Sequence, residues 1–183
     1  MPTSVMTEKA LAETMRGLMK YQPFSKISVG DICEQCGVSR KTFYYHFKDK
    51  FDLVNRVFTM DYEEITGVLG ENPAGWDFLE ELCGYFYKNR EFYINAFSVT
   101  GQNSFTEFFE EFMQPKFLER FRQLFLFDAD KKHEFLAVFF TDAIRVSVVR
   151  WLKESMTIPP EEYLAMTKEI LISVAEKVLS EMT

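Results

Sequence analysis

The sequence lacks most of the features that mark membrane, secreted and catalytic proteins. Nowhere in the 183 residues is there an unbroken apolar run long enough for a membrane span, which takes roughly 18 positions or more, so no membrane partner is expected. The start, Met1-Pro2-Thr3-Ser4, has no basic flank followed by an apolar stretch. No secretory signal is therefore expected, and the chain reads as soluble and cytoplasmic. Three cysteines, an odd number, argue against a disulfide framework. Two histidines stand without a nucleophile–base pairing. Catalysis thus has no candidate residues, no cofactor or metal is assigned, and the chain is not read as an enzyme. Acidic pairs such as Glu80-Glu81 and Glu110-Glu111 read as solvated faces. Strand signals are nearly absent too: there is no sustained period-two alternation and no Asn-Gly or Asp-Gly hairpin turn. Internal repeats and low-complexity tracts are also missing.

What remains is helical spacing, aromatic mass and an uneven charge. The 20 Phe, 8 Tyr and 2 Trp supply more apolar bulk than a small DNA module needs, which points to a helical core that also holds an apolar pocket or a subunit face. The net charge is −7, unpromising for a nucleic-acid binder when taken whole. Residues 1–60 carry nine Lys or Arg against six Asp or Glu, hence +3, whereas residues 61–183 carry twelve against twenty-two, hence −10. A basic head on an acidic body is the asymmetry expected when one end meets phosphates.

Helical periodicity predicts a first helix from about Thr7 to Tyr21, ended by Pro23, with Leu11, Met15, Leu18 and Met19 buried. Ser28 with Asp31 forms a capping-box start for a short second helix that ends at Gly37. Ser39 caps a third, from Arg40 to about Phe47, and Asp49 starts a longer fourth. After a break at 71–75, helices are expected over Trp76–Asn89, about Glu91–Val99, Asn103 or Ser104 to Phe127 with a kink at Pro115, about Asp130–Ser155, and Pro160–Glu181. The expected fold is all-α, with about nine helices: a three-helix helix-turn-helix domain (1–48), a connecting helix (49–70) and a helical effector-binding and dimerisation domain (71–183).

The segment Ser28–Phe47, SVGDICEQCGVSRKTFYYHF, carries the functional signal. An eight-residue helix, a glycine turn and a Ser-capped helix have the proportions of a helix-turn-helix. Val29, Ile32, Cys33, Val38 and Phe43 are spaced to lock the two helices together, which leaves Arg40, Lys41, Thr42, Tyr44, Tyr45 and His46 at or around the second. Arg40 and Lys41 can reach guanine edges or phosphates; Thr42 and the rings can bond phosphates or touch thymine methyls. A solvated basic surface helix is the bland alternative, but the glycine turn, both caps and the basic cluster coincide here. Cys33-Glu34-Gln35-Cys36 is a C-x-x-C, yet no βαβ pattern surrounds it, the second Cys sits at a helix C-terminus, and further zinc ligands are remote. Both Cys are read as packing. His133, in a charged run, is read as surface.

These residues resemble the DNA-binding domain of the TetR family, whose pattern is similar to T-x-x-x-I-A-x-x-A-G-V-S-x-G-T-x-Y-x-Y-F-x-x-K-x-x-L. Ser28, Ile32-Cys33, Cys36-Gly37-Val38-Ser39, Thr42, Tyr44, His46-Phe47, Lys50 and Leu53 stand in matching register. The resemblance implies that Ser28, Ser39, Thr42, Tyr44, His46 and Lys50 touch the DNA backbone, while Arg40 and Lys41 lie where bases are read. Tyr45 joins the set as a neighbouring ring. Lys41, where many members have Gly, departs from the pattern, so no operator sequence carries over. The runs Tyr87–Tyr93 and Thr100–Phe105 are similar to a subgroup of the family, regulators of the dihydroxyacetone-kinase operon.

In the body, the aromatic run from Glu91 to Phe127 with its proline allows an apolar pocket, with Tyr93, Phe97, Gln102, Phe109, Phe112 and Arg145 as candidate lining and Asn95 as another polar handle. The last two helices are apolar over more than one face, so Phe139, Val146, Ile170, Val174 and Val178 are candidates for a subunit interface. A four-helix interface between two chains is what the resemblance implies. The expected partners are a double-stranded DNA operator, a second copy of the chain, and a small-molecule or protein effector. The function read is a sequence-specific transcriptional regulator, a repressor released by an effector. The alternatives are an activator or coactivator-dependent regulator of the same fold, or a helical interaction module without DNA binding.

Overall fold

A computed structural model describes residues 2–69, 75–99, 104–125, 131–154 and 158–180. Among them there are nine α-helices and no strand: α1 Pro2–Tyr21, α2 Val29–Cys36, α3 Arg40–His46, α4 Lys50–Leu69, α5 Gly75–Lys88, α6 Arg90–Phe97, α7 Phe105–Phe125, α8 Lys131–Glu154 and α9 Pro160–Ser180. A 3-10 turn, Phe24–Lys26, follows α1. The fold is all-α with an N-terminal helix-turn-helix, as the sequence predicts. The largest boundary difference is at α1, which begins five residues before Thr7. Pro115 lies inside α7, and the helix continues through it. Lys116 Nζ donates to Phe112 O at 2.9 Å beside the point where proline removes an N–H.

The chain divides into two compact units, Met1–Glu64 with Asn89–Phe109, and Ile65–Lys88 with Glu110–Thr183. In the first, Leu11, Met15 and Met19 of α1, Ile32 of α2, Phe43 of α3, Leu53, Val57 and Phe58 of α4, and Phe92 and Tyr93 of α6 are all buried. Two polar networks tie this core together. Arg16 of α1 pairs with Asp61 of α4 at 2.5 Å, and Tyr93 OH of α6 donates to the other oxygen of the same carboxylate. A buried ion pair holds only when its remaining valences are met, and the Phe92 ring, 5.2 Å from the guanidinium carbon, adds a cation–π contact. The second network is Asn95, whose Nδ2 donates to Met19 O and Gln22 O while its Oδ1 accepts from Phe24 N, at 2.7–3.0 Å. One amide side chain thereby satisfies backbone groups that the end of α1 leaves over.

The second unit packs α5 on α9 and α8. Phe78, Leu82 and Phe86 of α5 are buried with Phe140, Ile144, Val148, Trp151 and Leu152 of α8, and Tyr163, Leu164 and Leu171 of α9. Trp151 stacks between Tyr163 (4.5 Å) and Tyr87 (5.4 Å), and its Nε1 donates to Ile158 O. His133 corrects the sequence reading: it is buried, with 6% exposure. It stands seven positions before Phe140 and so falls on the inward stripe of α8, which the surrounding Lys and Glu residues conceal in the sequence.

Candidate nucleic-acid interface

Local hydrogen bonding fixes the helix-turn-helix. Ser28 Oγ accepts from Asp31 N (3.2 Å) while Asp31 carboxylate accepts from Ser28 N (2.7 Å), a complete capping box. The Ser28 backbone N–H first, and its hydroxyl second, hold the Asp31 carboxyl below its ordinary range. Gly37 adopts φ 72°, ψ 29°, the left-handed conformation that closes α2, and Val38 N returns to Cys33 O at 3.0 Å. Ser39 Oγ then accepts from Thr42 N at 3.0 Å and starts α3. Phe43, fully buried, pins α3 to the core.

With Phe43 turned inward, helical spacing sends Lys41, Tyr44 and Tyr45 outward. Tyr44 is 56% and Tyr45 79% exposed, and Arg40, Lys41, Ser28 and Ser39 are exposed as well. Apolar rings left in water on a basic helix have no packing explanation within the chain. Hydroxyls, a cation and ring edges along one helix face suit a nucleic-acid groove.

Two of the nine DNA candidates, His46 and Lys50, are turned inward. The side chain of His46 is 5% exposed, with Nδ1 3.5 Å from Glu8 Oε1 of α1. Lys50 Nζ donates to Phe24 O (2.8 Å) and Ile27 O (2.7 Å) and lies 4.3 Å from the Phe24 ring centre. Burial lowers its pKa, partly offset by Asp31. His46 braces α3 against α1, and Lys50 braces α4 against the turn after α1. Cys33 is buried, and desolvation pushes its thiol up, in keeping with packing.

The effector candidates are divided between the two units. Tyr93 (0% exposed), Phe97 and Phe109 are buried in the first, where Phe97 meets Phe105 at 4.8 Å and Phe109 at 5.3 Å. Tyr93 OH is engaged by Asp61, and Asn95 holds backbone of α1; the structure uses both supposed polar handles as internal ties. In the second unit, Arg145 pairs with Glu110 at 2.5 Å, and Lys116 Nζ sits 3.6 Å over the Phe112 ring. Gln102 lies outside the described residues. A small cavity of about 10 Å³, room for about one water, lined by Phe24, Phe51, Val54, Asn55, Ala96, Val99 and Phe105, does open in the first unit. Asn55 Oδ1 is buried without a hydrogen-bond partner among the described residues. Sequence reading missed it because its lining comes from three distant segments.

Of the interface candidates, Phe139 (55%), Val146 (44%), Ile170 (63%) and Val174 (41%) are exposed, as are Phe135 (66%) and Met166 (41%). The side chain of Val178 lies outside the described residues.

A capped helix-turn-helix presenting a basic, aromatic second helix defines the chain as a helix-turn-helix transcriptional regulator. Residues 12–57 match the family model described as bacterial regulatory proteins, tetR family, and residues 76–173 match one described as a transcriptional regulator C-terminal region. The chain belongs to the TetR family of transcriptional regulators. It is 28% identical over 135 residues to the dhaKLM operon transcriptional activator DhaS of Lactococcus lactis, covering 74% of this chain and 68% of that one. A solved structure of a dihydroxyacetone kinase operon activator DhaS superposes with TM-score 0.63 at 20% identity, over 94% of this chain and 97% of that chain. EthR of Mycobacterium tuberculosis, a transcriptional regulator, is 34% identical over 80 residues, 42% of this chain and 37% of its own length. The Thermus thermophilus transcriptional repressor FadR, solved with lauroyl-CoA, shares the fold at TM-score 0.63 and 16% identity, over 90% of this chain and 93% of that one. These relatives are regulators, not enzymes. No described helix is long and apolar enough to cross a membrane.

Proposed function

We propose that this regulator binds operator DNA as a homodimer in the cytoplasm, with α3 of each copy entering a major groove, and that an effector in the C-terminal region releases it. The observation that carries the reading is the exposed Lys41, Tyr44 and Tyr45 face on a helix held by the Ser39 cap and the buried Phe43. Ser28, Ser39 and Thr42 supply hydroxyls to phosphates beside it; His46 and Lys50 act from behind, by fixing the orientation of α3. The functional division is a head over 1–48, a connector over 49–70 and an effector and pairing region over 71–183.

Pairing is supported by the six exposed apolar side chains of α8 and α9. Burying such a face against its own copy makes a symmetric interface. It also presents the head charge of +3 twice and sets two α3 helices for half-sites about 34–36 Å apart. The small-molecule effector, and repression as the sign, are supported by family membership and by the lauroyl-CoA-bound repressor among the structural neighbours. A second reading, activation, is favoured by the name of DhaS, which matches over most of the chain. A candidate effector acts only through unequal affinity for the DNA-competent and incompetent arrangements.

The test is a gel shift on the DNA upstream of the chain's own gene, repeated over a salt series. Binding whose logarithm falls linearly with the logarithm of salt is expected. A flat response, or no shift, sinks the DNA reading; a reporter in cells lacking the gene then separates repression from activation.

A further inference from the structure

The face shared by Lys41 and Tyr45 is not where Arg40 points. A Cβ placed on Gly30 would stand 2.7 Å from Arg40 Nη2, 3.7 Å from its Cζ and 3.3 Å from Ser28 Oγ. The guanidinium therefore crosses from the first residue of α3 to lie on the first turn of α2. Electrostatics agree: Arg40 is among the charges that lower the Asp31 carboxyl, and it acts on the Cys33 thiol in the same direction. Gly30 has no conformational reason to be glycine, since Gly37 is the only positive-φ glycine among the described residues. Glycine inside a helix destabilises it relative to alanine. What the missing Cβ provides is room for the guanidinium.

Seated there, Arg40 brings a planar fork of N–H donors next to the Ser28 hydroxyl. That combination matches a phosphate, which takes bidentate bonds from arginine, and it lies off the row of side chains that a groove would meet. We propose that Gly30 is a positioning residue: by leaving space on α2 it turns Arg40 into a backbone-phosphate clamp with Ser28, and base discrimination falls to Lys41 and Tyr45. This rests on the DNA-binding reading above and departs from the expectation that Arg40 lies where bases are read.

The experiment uses a duplex selected by the full-length wild-type protein from a random pool. Affinity is measured over a salt series for wild type, Arg40→Ala, Gly30→Ala and the double variant, on the selected duplex and on its single-base variants. Arg40→Ala should weaken all duplexes alike, about tenfold per half-site, and lower the log–log salt slope by about 0.9 for each phosphate it leaves unneutralised. Gly30→Ala should keep or raise the melting temperature, weaken binding in the same sequence-blind way, and add nothing in the Arg40→Ala background. An unchanged slope with relaxed preference at one base pair would show Arg40 reading a base and overturn the proposal. A Gly30→Ala loss of equal size with and without Arg40 would overturn the positioning role, because the added methyl would then be meeting DNA itself. Selection of no duplex by the wild type removes the DNA reading, and this inference with it; that outcome is distinct from both of the others.

Discussion

The unit built from Met1–Glu64 and Asn89–Phe109 closes on itself, whereas the unit built from Ile65–Lys88 and Glu110–Thr183 does not. In the first, most of the buried polar groups described above, Asn55 Oδ1 excepted, find partners across segments: Arg16 and Tyr93 converge on Asp61, Asn95 serves three backbone groups of α1 and the following turn, and Lys50 takes two carbonyls. Two of its exposed rings, Tyr44 and Tyr45, stand on α3 beside Lys41, and a third, Tyr21, ends α1 beside Lys20. The interior of the second unit holds the Tyr87–Trp151–Tyr163 stack. Yet it leaves Phe135, Phe139, Val146, Met166, Ile170 and Val174 in water. An apolar surface beside cations and hydroxyls is suited to a polyanion; one without them is suited to another apolar surface. On the function proposed above, the first unit awaits DNA and the second a copy of itself.

The largest effect should come from charging the open face. Phe139→Glu with Ile170→Glu should convert a dimer of about 43 kDa, twice the 21.6 kDa chain, into a monomer by light scattering, with melting temperature little changed. Operator affinity should fall on the order of a hundredfold, because the second head no longer binds as if intramolecular. An unaltered mass would show that α8 and α9 do not pair. Next in size, Asp61→Asn leaves Arg16 without its buried counter-ion and should cost about 3–5 kcal/mol of stability in denaturant unfolding. The loss should appear in amide exchange of α1, α4 and α6. A loss spread equally through α5 and α9 would erase the distinction between the units. Smaller still, Asn95→Ala should cost about 1–3 kcal/mol through stranded backbone groups and speed exchange of the Phe24 amide, while the fluorescence of the Trp151 stack stays as it was.

How far these features could be read beforehand depended on sequence separation. The capping box of Ser28 and Asp31, the left-handed Gly37, the Ser39 cap and the inward Phe43 are each settled within four residues, so spacing alone predicts them. The family resemblance added a role for Lys50 and His46, but not their direction. Lys50 turns to carbonyls 23 and 26 positions earlier, and His46 to Glu8. Tyr93 and Asn95 looked like pocket handles because they are polar residues in an aromatic run; their partners lie 32 to 76 positions away. His133 was hidden by charged neighbours that point outward. Periodicity did foresee that α8 and α9 carry more apolar surface than one contact can cover, since that excess is local to each helix.

The division of labour between the two units is tested most directly by the stoichiometry and affinity of the operator complex, measured by sedimentation for the wild type and for Lys41→Ala with Tyr45→Ala. Two chains per duplex are expected for the wild type, and a double variant that remains a folded dimer but no longer forms the complex. One chain per duplex, or a complex that survives the removal of both side chains, would contradict that division.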